Sequence, residues 1–175
     1  MQEDLRHEAT YDRLTGLWNR GTIVDHLDRE IERAAREDRR LAIAIGDLDH
    51  FKAINDRYGH LVGDAVLRQV GSRIASALRE YDVVGRYGGE VFLLVLPGCD
   101  GAEAMLVADR VRAAVAVSPV QVDTAALAVT LSVGVAEVTA AAGAASGMRR
   151  ADEALYRAKA NGRNRIELSA APVMP

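Results

Sequence analysis

The sequence predicts an α/β protein of the α+β kind, in which one central sheet is covered by helices. Two observations carry that expectation. Short apolar runs of strand type alternate with longer stretches whose apolar residues recur every three or four positions. The resulting order is helix, strand, helix, helix, two strands, helix, strand, helix, strand. In the middle, Asp82-Val-Val and Val91-Phe-Leu-Leu-Val-Leu96 flank Gly88 and Gly89, the pattern of two antiparallel strands joined by a tight hairpin. The 175 residues, 49% hydrophobic and 27% charged, suit one domain with a substantial core. That domain is expected over residues 11–168, between a polar linker or helix end (1–10) and a disordered tail (169–175).

The elements follow in order. Residues 11–20, punctuated by Gly16 and Asn19, read as an ordered turn packed on the body. Thr22 is expected to cap a helix whose Ile23, Leu27, Ile31 and Ala34 form one apolar stripe. Leu41-Ala-Ile-Ala-Ile45 has the continuous apolar character of a buried central strand, and it ends in Gly46-Asp-Leu-Asp49. Asp47 and Asp49, two residues apart at a strand end, are expected to point to the same side. Residues 51–58 predict a short helix with Gly59 as its C-cap. Gly63 and Asp64 are expected to open a longer one that buries Val66, Leu67, Val70, Ile74, Ala77 and Leu78. Beyond the hairpin, Ala104, Ala108, Val111 and Val115 mark a helix that stops before Pro119. Residues 127–138 are β-rich. Residues 139–147, rich in Ala, Gly and Ser, read as a surface loop, with a helical Ala run as the alternative. A helix over 148–160, capped by Gly162, and a strand over 165–168 complete the domain.

Composition narrows the function. A net charge of −3 and a pI near 5.8 give no overall basic field for a nucleic acid polymer. The single cysteine, Cys99, rules out an internal disulfide and fits a reducing compartment. No apolar run has membrane-spanning length and no signal peptide precedes the first acidic residues, so a cytoplasmic domain without membrane contact is expected. There is no Cys/His cluster for zinc, no Ser/His/Asp signature and no Walker-type loop. Asp47, Asp49 and Glu90 remain as hard oxygen ligands suited to Mg²⁺, and Gly88-Gly89 lets a phosphate approach the backbone. Metal-assisted phosphoryl or nucleotidyl transfer is the natural enzyme reading. The plainer alternatives are helix capping by the two aspartates and a hairpin that ends in a solvated glutamate.

Longer motifs carry a resemblance. Asp47-Leu-Asp-His-Phe-Lys-Ala-Ile-Asn-Asp56, Gly59-His-Leu-Val-Gly-Asp64, Arg86-Tyr-Gly-Gly-Glu-Val-Phe92, Ser132-Val-Gly134 and Ala151-Asp-Glu-Ala-Leu-Tyr-Arg-Ala-Lys-Ala-Asn-Gly-Arg-Asn164 stand in sequence. Together with the opening Asp12-Arg-Leu-Thr-Gly-Leu-Trp-Asn-Arg20, they resemble the GGDEF domain of diguanylate cyclases over about residues 10–168. The resemblance implies a palm-like architecture, with a mixed, largely antiparallel five-stranded sheet flanked by helices. It implies that two GTP molecules, one on each half of a homodimer, condense to cyclic di-GMP with loss of two pyrophosphates. It assigns Asp47 and Glu90, with the Leu48 carbonyl, to Mg²⁺ or Mn²⁺, and Glu90 also to deprotonation of the 3′-hydroxyl.

By the same resemblance, Asn55 and Asp64 read guanine, with His60 near the nucleoside. A carboxylate at Asp64 can accept from guanine N1–H and N2–H, where adenine offers no donor. Lys52, Lys159 and Arg163 resemble phosphate-contacting cations beside Gly88 and Gly89. Arg79-Glu-Tyr-Asp82 matches an inhibitory product site, which Arg110 supplements; an Arg fork suits phosphate and the Hoogsteen edge of guanine. By spacing alone, Arg79 and Asp82 read as a solvated ion pair. An N-terminal regulatory domain in a longer protein is also implied.

One position departs from the pattern. The signature ends Gly-Gly-acid-Glu-Phe, and Val91 stands where its second acid belongs. One oxygen ligand is therefore missing, which Mg²⁺ can replace with water at some cost in affinity. Two functions follow: a working or weakened diguanylate cyclase with product feedback, or a silent domain that binds GTP or cyclic di-GMP and signals to a partner.

Overall fold

The structure, a computed structural model, describes residues 9–171. Helix α1 (Arg20–Glu37) leads into strand β1 (Leu41–Leu48), helices α2 (Phe51–Tyr58) and α3 (His60–Ala77), and strands β2 (Val83–Arg86) and β3 (Val91–Pro97). Helix α4 (Gly101–Ala116), the short strands β4 (Val120–Val122) and β5 (Ala125–Leu127), strand β6 (Leu131–Glu137), helix α5 (Gly143–Ala160) and strand β7 (Ile166–Leu168) follow.

The five-stranded sheet has the order β2-β3-β1-β6-β7. Every pair is antiparallel except β6 with β7, so the sheet is mixed and largely antiparallel, as expected. Strand β1 lies at its centre, which explains the unbroken apolar run: both faces are covered. Ala42, Ala44 and Leu48 pack under α3 and α4 with Val66, Val70, Ile74, Ala108 and Val111. Ile43 and Ile45 face the other way, onto Ile23, Leu27 and Ile31 of α1 and Leu155 of α5. Each fully buried Leu or Ile contributes roughly 1.5–3 kcal/mol, so the two layers fix the register of β1.

Several expected boundaries move for local reasons. Asn19, not Thr22, caps α1, its side chain accepting from the Thr22 N–H at 2.9 Å. Helix α3 begins at His60, because Gly59 (φ 88°) ends α2 and starts α3 in one residue. Gly63 and Asp64 therefore lie inside α3 and do not open it. Helix α5 begins at Gly143, so the Ala run is helical over the second half of the expected loop. The β4–β5 hairpin, turning at Asp123 (φ 50°), precedes the expected β-rich stretch and shares only Leu127 with it, while β6 fills most of the remainder. Ser169 donates its N–H to the Val135 carbonyl at 2.8 Å, and Arg150 donates to Ser169 and Ala170. Residues 1–8 of the expected linker and 172–175 of the expected tail lie outside the described residues. No described helix is long and apolar enough to cross a membrane.

Candidate active site

The central strand and the hairpin meet at one sheet end. In the β1–β3 register Asp47 lies opposite Val91, and in the β1–β6 register opposite Ser132. The Leu48 N–H donates to the Glu90 carbonyl at 3.2 Å, so the residues bearing the two candidate carboxylates are neighbours across the sheet. Glu90 is half-buried at the end of the turn. Val91 packs its side chain against the α1-side core and offers no oxygen. Lys159, arriving from the last turn of α5, places Nζ 2.9 Å from Asp47 Oδ2. Burial pushes the Asp47 carboxyl above its ordinary range, the neighbouring carboxylates Asp49 and Asp152 add to the rise, and Lys159 opposes it.

The Gly-Gly turn is held from outside. Arg86 donates to the Gly89 carbonyl through Nη2 (2.8 Å) and Nε (3.1 Å), and through Nη1 to both oxygens of Asp12 at 3.2 Å. Asp12 also accepts from the Thr15 N–H (2.9 Å) and hydroxyl (2.7 Å). Burial alone would raise its carboxyl, but those hydrogen bonds and Arg86 hold it below the usual carboxylate range. The opening motif therefore serves as a brace for the hairpin. Gly89 needs no special φ, and a Cβ there would meet nothing within 4 Å, so the space beside its backbone is open to a ligand.

Asp49 does not join Asp47. Its carboxylate accepts from Ser132 Oγ (2.6 Å), Thr130 Oγ1 (2.6 Å) and the Asn164 N–H (3.0 Å), which leaves little capacity for a metal. Neither aspartate caps α2; His50 precedes it with no side-chain cap. Among the described residues no cluster of three or more His, Cys, Asp or Glu is close enough to hold a metal ion.

Helices α2 and α3 carry the expected nucleoside residues. Lys52 and His60 are exposed, and Asn55 and Asp64 are half-buried. Asn55 is wedged against Gly63: a Cβ at that position would lie 1.9 Å from Asn55 Oδ1. That oxygen is buried without a hydrogen-bond partner, an arrangement that costs on the order of 1–3 kcal/mol.

Arg79 and Asp82 form a tighter pair than their spacing suggests. Arg79 Nη2 reaches Asp82 Oδ1 at 2.7 Å and Nε reaches Oδ2 at 2.8 Å, and the Asp82 side chain is fully buried. The guanidinium also lies 4.6 Å from the Tyr81 ring centre and donates to Cys99 Sγ at 3.0 Å. Asp82 holds Arg79 charged and raises its pKa further. Arg79 and Tyr81 line a cavity of about 330 Å³ together with Arg33, Glu37, Arg39 and Arg40. Arg110 comes to the same corner, donating to the Ala77 carbonyl at 2.6 Å. Arg86 could have been singled out from its position three residues before Gly89; nothing in the sequence signals the role of Cys99.

The chain is similar to known proteins over nearly its whole length. A profile of the family described as "Diguanylate cyclase, GGDEF domain" matches residues 9–165. The chain is 39% identical over 167 residues to the diguanylate cyclase DgcP of Pseudomonas aeruginosa, covering 95% of this chain and 25% of that protein. It is 40% identical over 161 residues to the response regulator PleD of Caulobacter vibrioides, covering 90% of this chain and 36% of the relative. The chain thus spans a minor part of the curated relatives it matches. The fold superposes with a TM-score of 0.89 on the coiled coil and GGDEF domain of DgcB from Caulobacter crescentus in complex with c-di-GMP, at 34% identity over 96% of this chain and 90% of that one. It superposes with a TM-score of 0.90 on the diguanylate cyclase SiaD from Pseudomonas aeruginosa in complex with its activator SiaC, at 41% identity over 96% of this chain and 65% of that one. With the sheet order, the braced Gly-Gly turn and the family profile in agreement over nearly its whole length, the chain belongs to the GGDEF domain family of diguanylate cyclases.

Proposed function

We propose that the chain is a diguanylate cyclase that condenses two GTP to cyclic di-GMP and two pyrophosphates. The observation that carries this reading is the junction of β1 with the hairpin, where the Leu48 N–H meets the Glu90 carbonyl, so that Asp47 with its partner Lys159 and Glu90 lie on neighbouring backbone next to an open Gly89. Two carboxylates and a carbonyl are the hard oxygen set that suits Mg²⁺ or Mn²⁺. A divalent cation bound there would supply charge neutralisation at the triphosphate.

The chain's own residues do the rest. Asn55 and Asp64 hold the guanine edge, and His60 borders the nucleoside. Lys52, Lys159 and Arg163 take the phosphates beside Gly88 and Gly89, and Glu90 assists removal of the 3′-hydroxyl proton. Lys159 neutralises Asp47 in the free chain and is already near the phosphate path. The product joins two guanylates, whereas one chain offers one carboxylate pair and one pair of guanine readers, so two copies must face each other during the reaction. Arg79 and Asp82, with Arg110 behind them, bind cyclic di-GMP as feedback inhibitor. Its arrival would open the Arg79–Asp82 pair, of which Arg79 lines the cavity. An N-terminal regulatory domain fits the larger size of the relatives.

The second reading, a silent domain that binds GTP or cyclic di-GMP, draws its support from Val91, which packs apolar surface where an oxygen ligand would stand. Nucleotide binding and turnover separate the two. The cyclase reading expects GTP to bind in preference to ATP, the preference to fall in Asp64→Ala, and cyclic di-GMP to form in a Glu90-dependent manner. Selective binding without product at high enzyme concentration would favour the silent domain.

A further inference from the structure

Asp49 is a buried carboxylate that the proposed reaction does not use; the residue is 5% exposed. Its Oδ1 accepts from Ser132 Oγ, and its Oδ2 from both Thr130 Oγ1 and the backbone N–H of Asn164. The last donor lies in the reversal between α5 and β7. There Arg163 and Asn164 take positive φ in succession, 63° and 45°, a conformation that residues other than glycine keep only when their surroundings impose it. The imposing contacts are few. Arg163 donates its N–H to the Ala158 carbonyl at 3.0 Å, Arg112 Nη1 donates to Asn164 Oδ1 at 2.9 Å, and the Val133 N–H donates to the Arg165 carbonyl at 2.9 Å. Asp49 is the contact that joins this reversal to the strand end bearing Asp47.

Two rungs therefore connect the same two segments. Lys159 Nζ meets Asp47, and the Asn164 N–H meets Asp49 two residues further along. The rungs differ in stiffness. A lysine on a four-carbon stem tolerates many geometries, whereas a carboxylate that accepts a backbone N–H and two hydroxyls fixes the backbone itself.

We propose that Asp49 is a positioning residue: it locks the Arg163–Asn164 reversal to the end of β1 and so sets where Arg163 meets the phosphates of a nucleotide. The proposal rests on the functional reading above. It assigns Asp49 neither metal ligation nor contact with substrate. Its effect passes through Arg163.

Asp49→Asn keeps the size of the side chain and removes its charge. Amide hydrogen exchange should accelerate about tenfold or more over residues 162–165 while β1 and β6 keep their protection. The GTP dissociation constant should rise about tenfold while guanosine binding stays within about twofold, since the guanine readers sit on α2 and α3. In an Arg163→Ala background the same substitution should change GTP affinity by less than about twofold, because the two residues act in series. If Asp49→Asn does not fold, Thr130→Val provides a milder loosening of the same oxygen and should show the same pattern with smaller amplitude.

Unchanged exchange at 162–165 would overturn the proposal. So would an equal loss of guanosine and GTP binding, or a full effect of Asp49→Asn in the Arg163→Ala background. A wild-type chain that binds no GTP would instead overturn the functional reading, and the positioning role with it.

Discussion

Three residues carry much of what is specific to the proposed nucleotide and product sites. Gly63 is small because Asn55 occupies its space. Gly63→Ala gains roughly 1 kcal/mol of helix propensity, which offsets the clash, while the new methyl evicts the Asn55 amide. The expected outcome is near-wild-type urea stability with about tenfold weaker GTP binding, a split that a purely structural glycine would not produce. Asp47 holds its proton more tightly in the folded chain than in the unfolded one. It therefore stabilises the fold only below the ordinary carboxylate range, and its ionisation costs stability at neutral pH. Without metal, Asp47→Asn should raise Tm at pH 7, and the gain should vanish as the pH falls below about 4. A variant that lowers Tm at pH 7 would mean that the Lys159 pair outweighs burial. Arg79→Ala strands a fully buried Asp82 carboxylate. Since Arg79 is itself partly exposed, the expected loss is on the order of 2–3 kcal/mol, accompanied by loss of inhibition by added cyclic di-GMP.

Among the elements, the hairpin shows most clearly what could be read from the sequence and what could not. Its strands and Gly-Gly turn are local patterns, so the apolar runs sufficed to predict them. Its brace is non-local. Arg86 gathers Asp12, far away in sequence, and no periodicity reports such a contact. Arg86→Ala should cost about 2 kcal/mol, since charge-assisted hydrogen bonds to Asp12 and the Gly89 carbonyl are lost together. Exchange over residues 87–90 should rise more than in the flanking strands. The helix starts misread from sequence have similar causes. Asn19 and Thr22 both suit a cap, and only the fold selects Asn19. Gly59 ends α2 and starts α3 in a single residue, which a count of capping residues does not anticipate. Asp49 is the sharpest case. As one half of an Asp-x-Asp it looks like a ligand, yet its partners Thr130, Ser132 and Asn164 are more than eighty residues away and consume its oxygens.

The molecule as a whole was legible where both faces of the sheet are buried, because burial imposes a pattern on every residue of a central strand. Strand β1 and helices α1 and α3 were therefore clear, while the β4–β5 hairpin, short and half exposed, was not. The site sits at the end of that rigid centre, so the geometry of Asp47 is fixed by two apolar layers and not by loops. On this frame one departure matters most: Val91 lies opposite Asp47, where the family signature has a second acid. Asp47, the Leu48 carbonyl and Glu90 are expected to suffice for turnover at a reduced rate. The most direct test is cyclic di-GMP formation from GTP and Mg²⁺, with a phosphodiesterase present to remove product, for the chain beside Glu90→Ala and Val91→Glu. Product from the unmodified chain, none from Glu90→Ala and faster turnover from Val91→Glu is the predicted result. Product from Val91→Glu alone would contradict it and leave the chain a nucleotide-binding signalling domain.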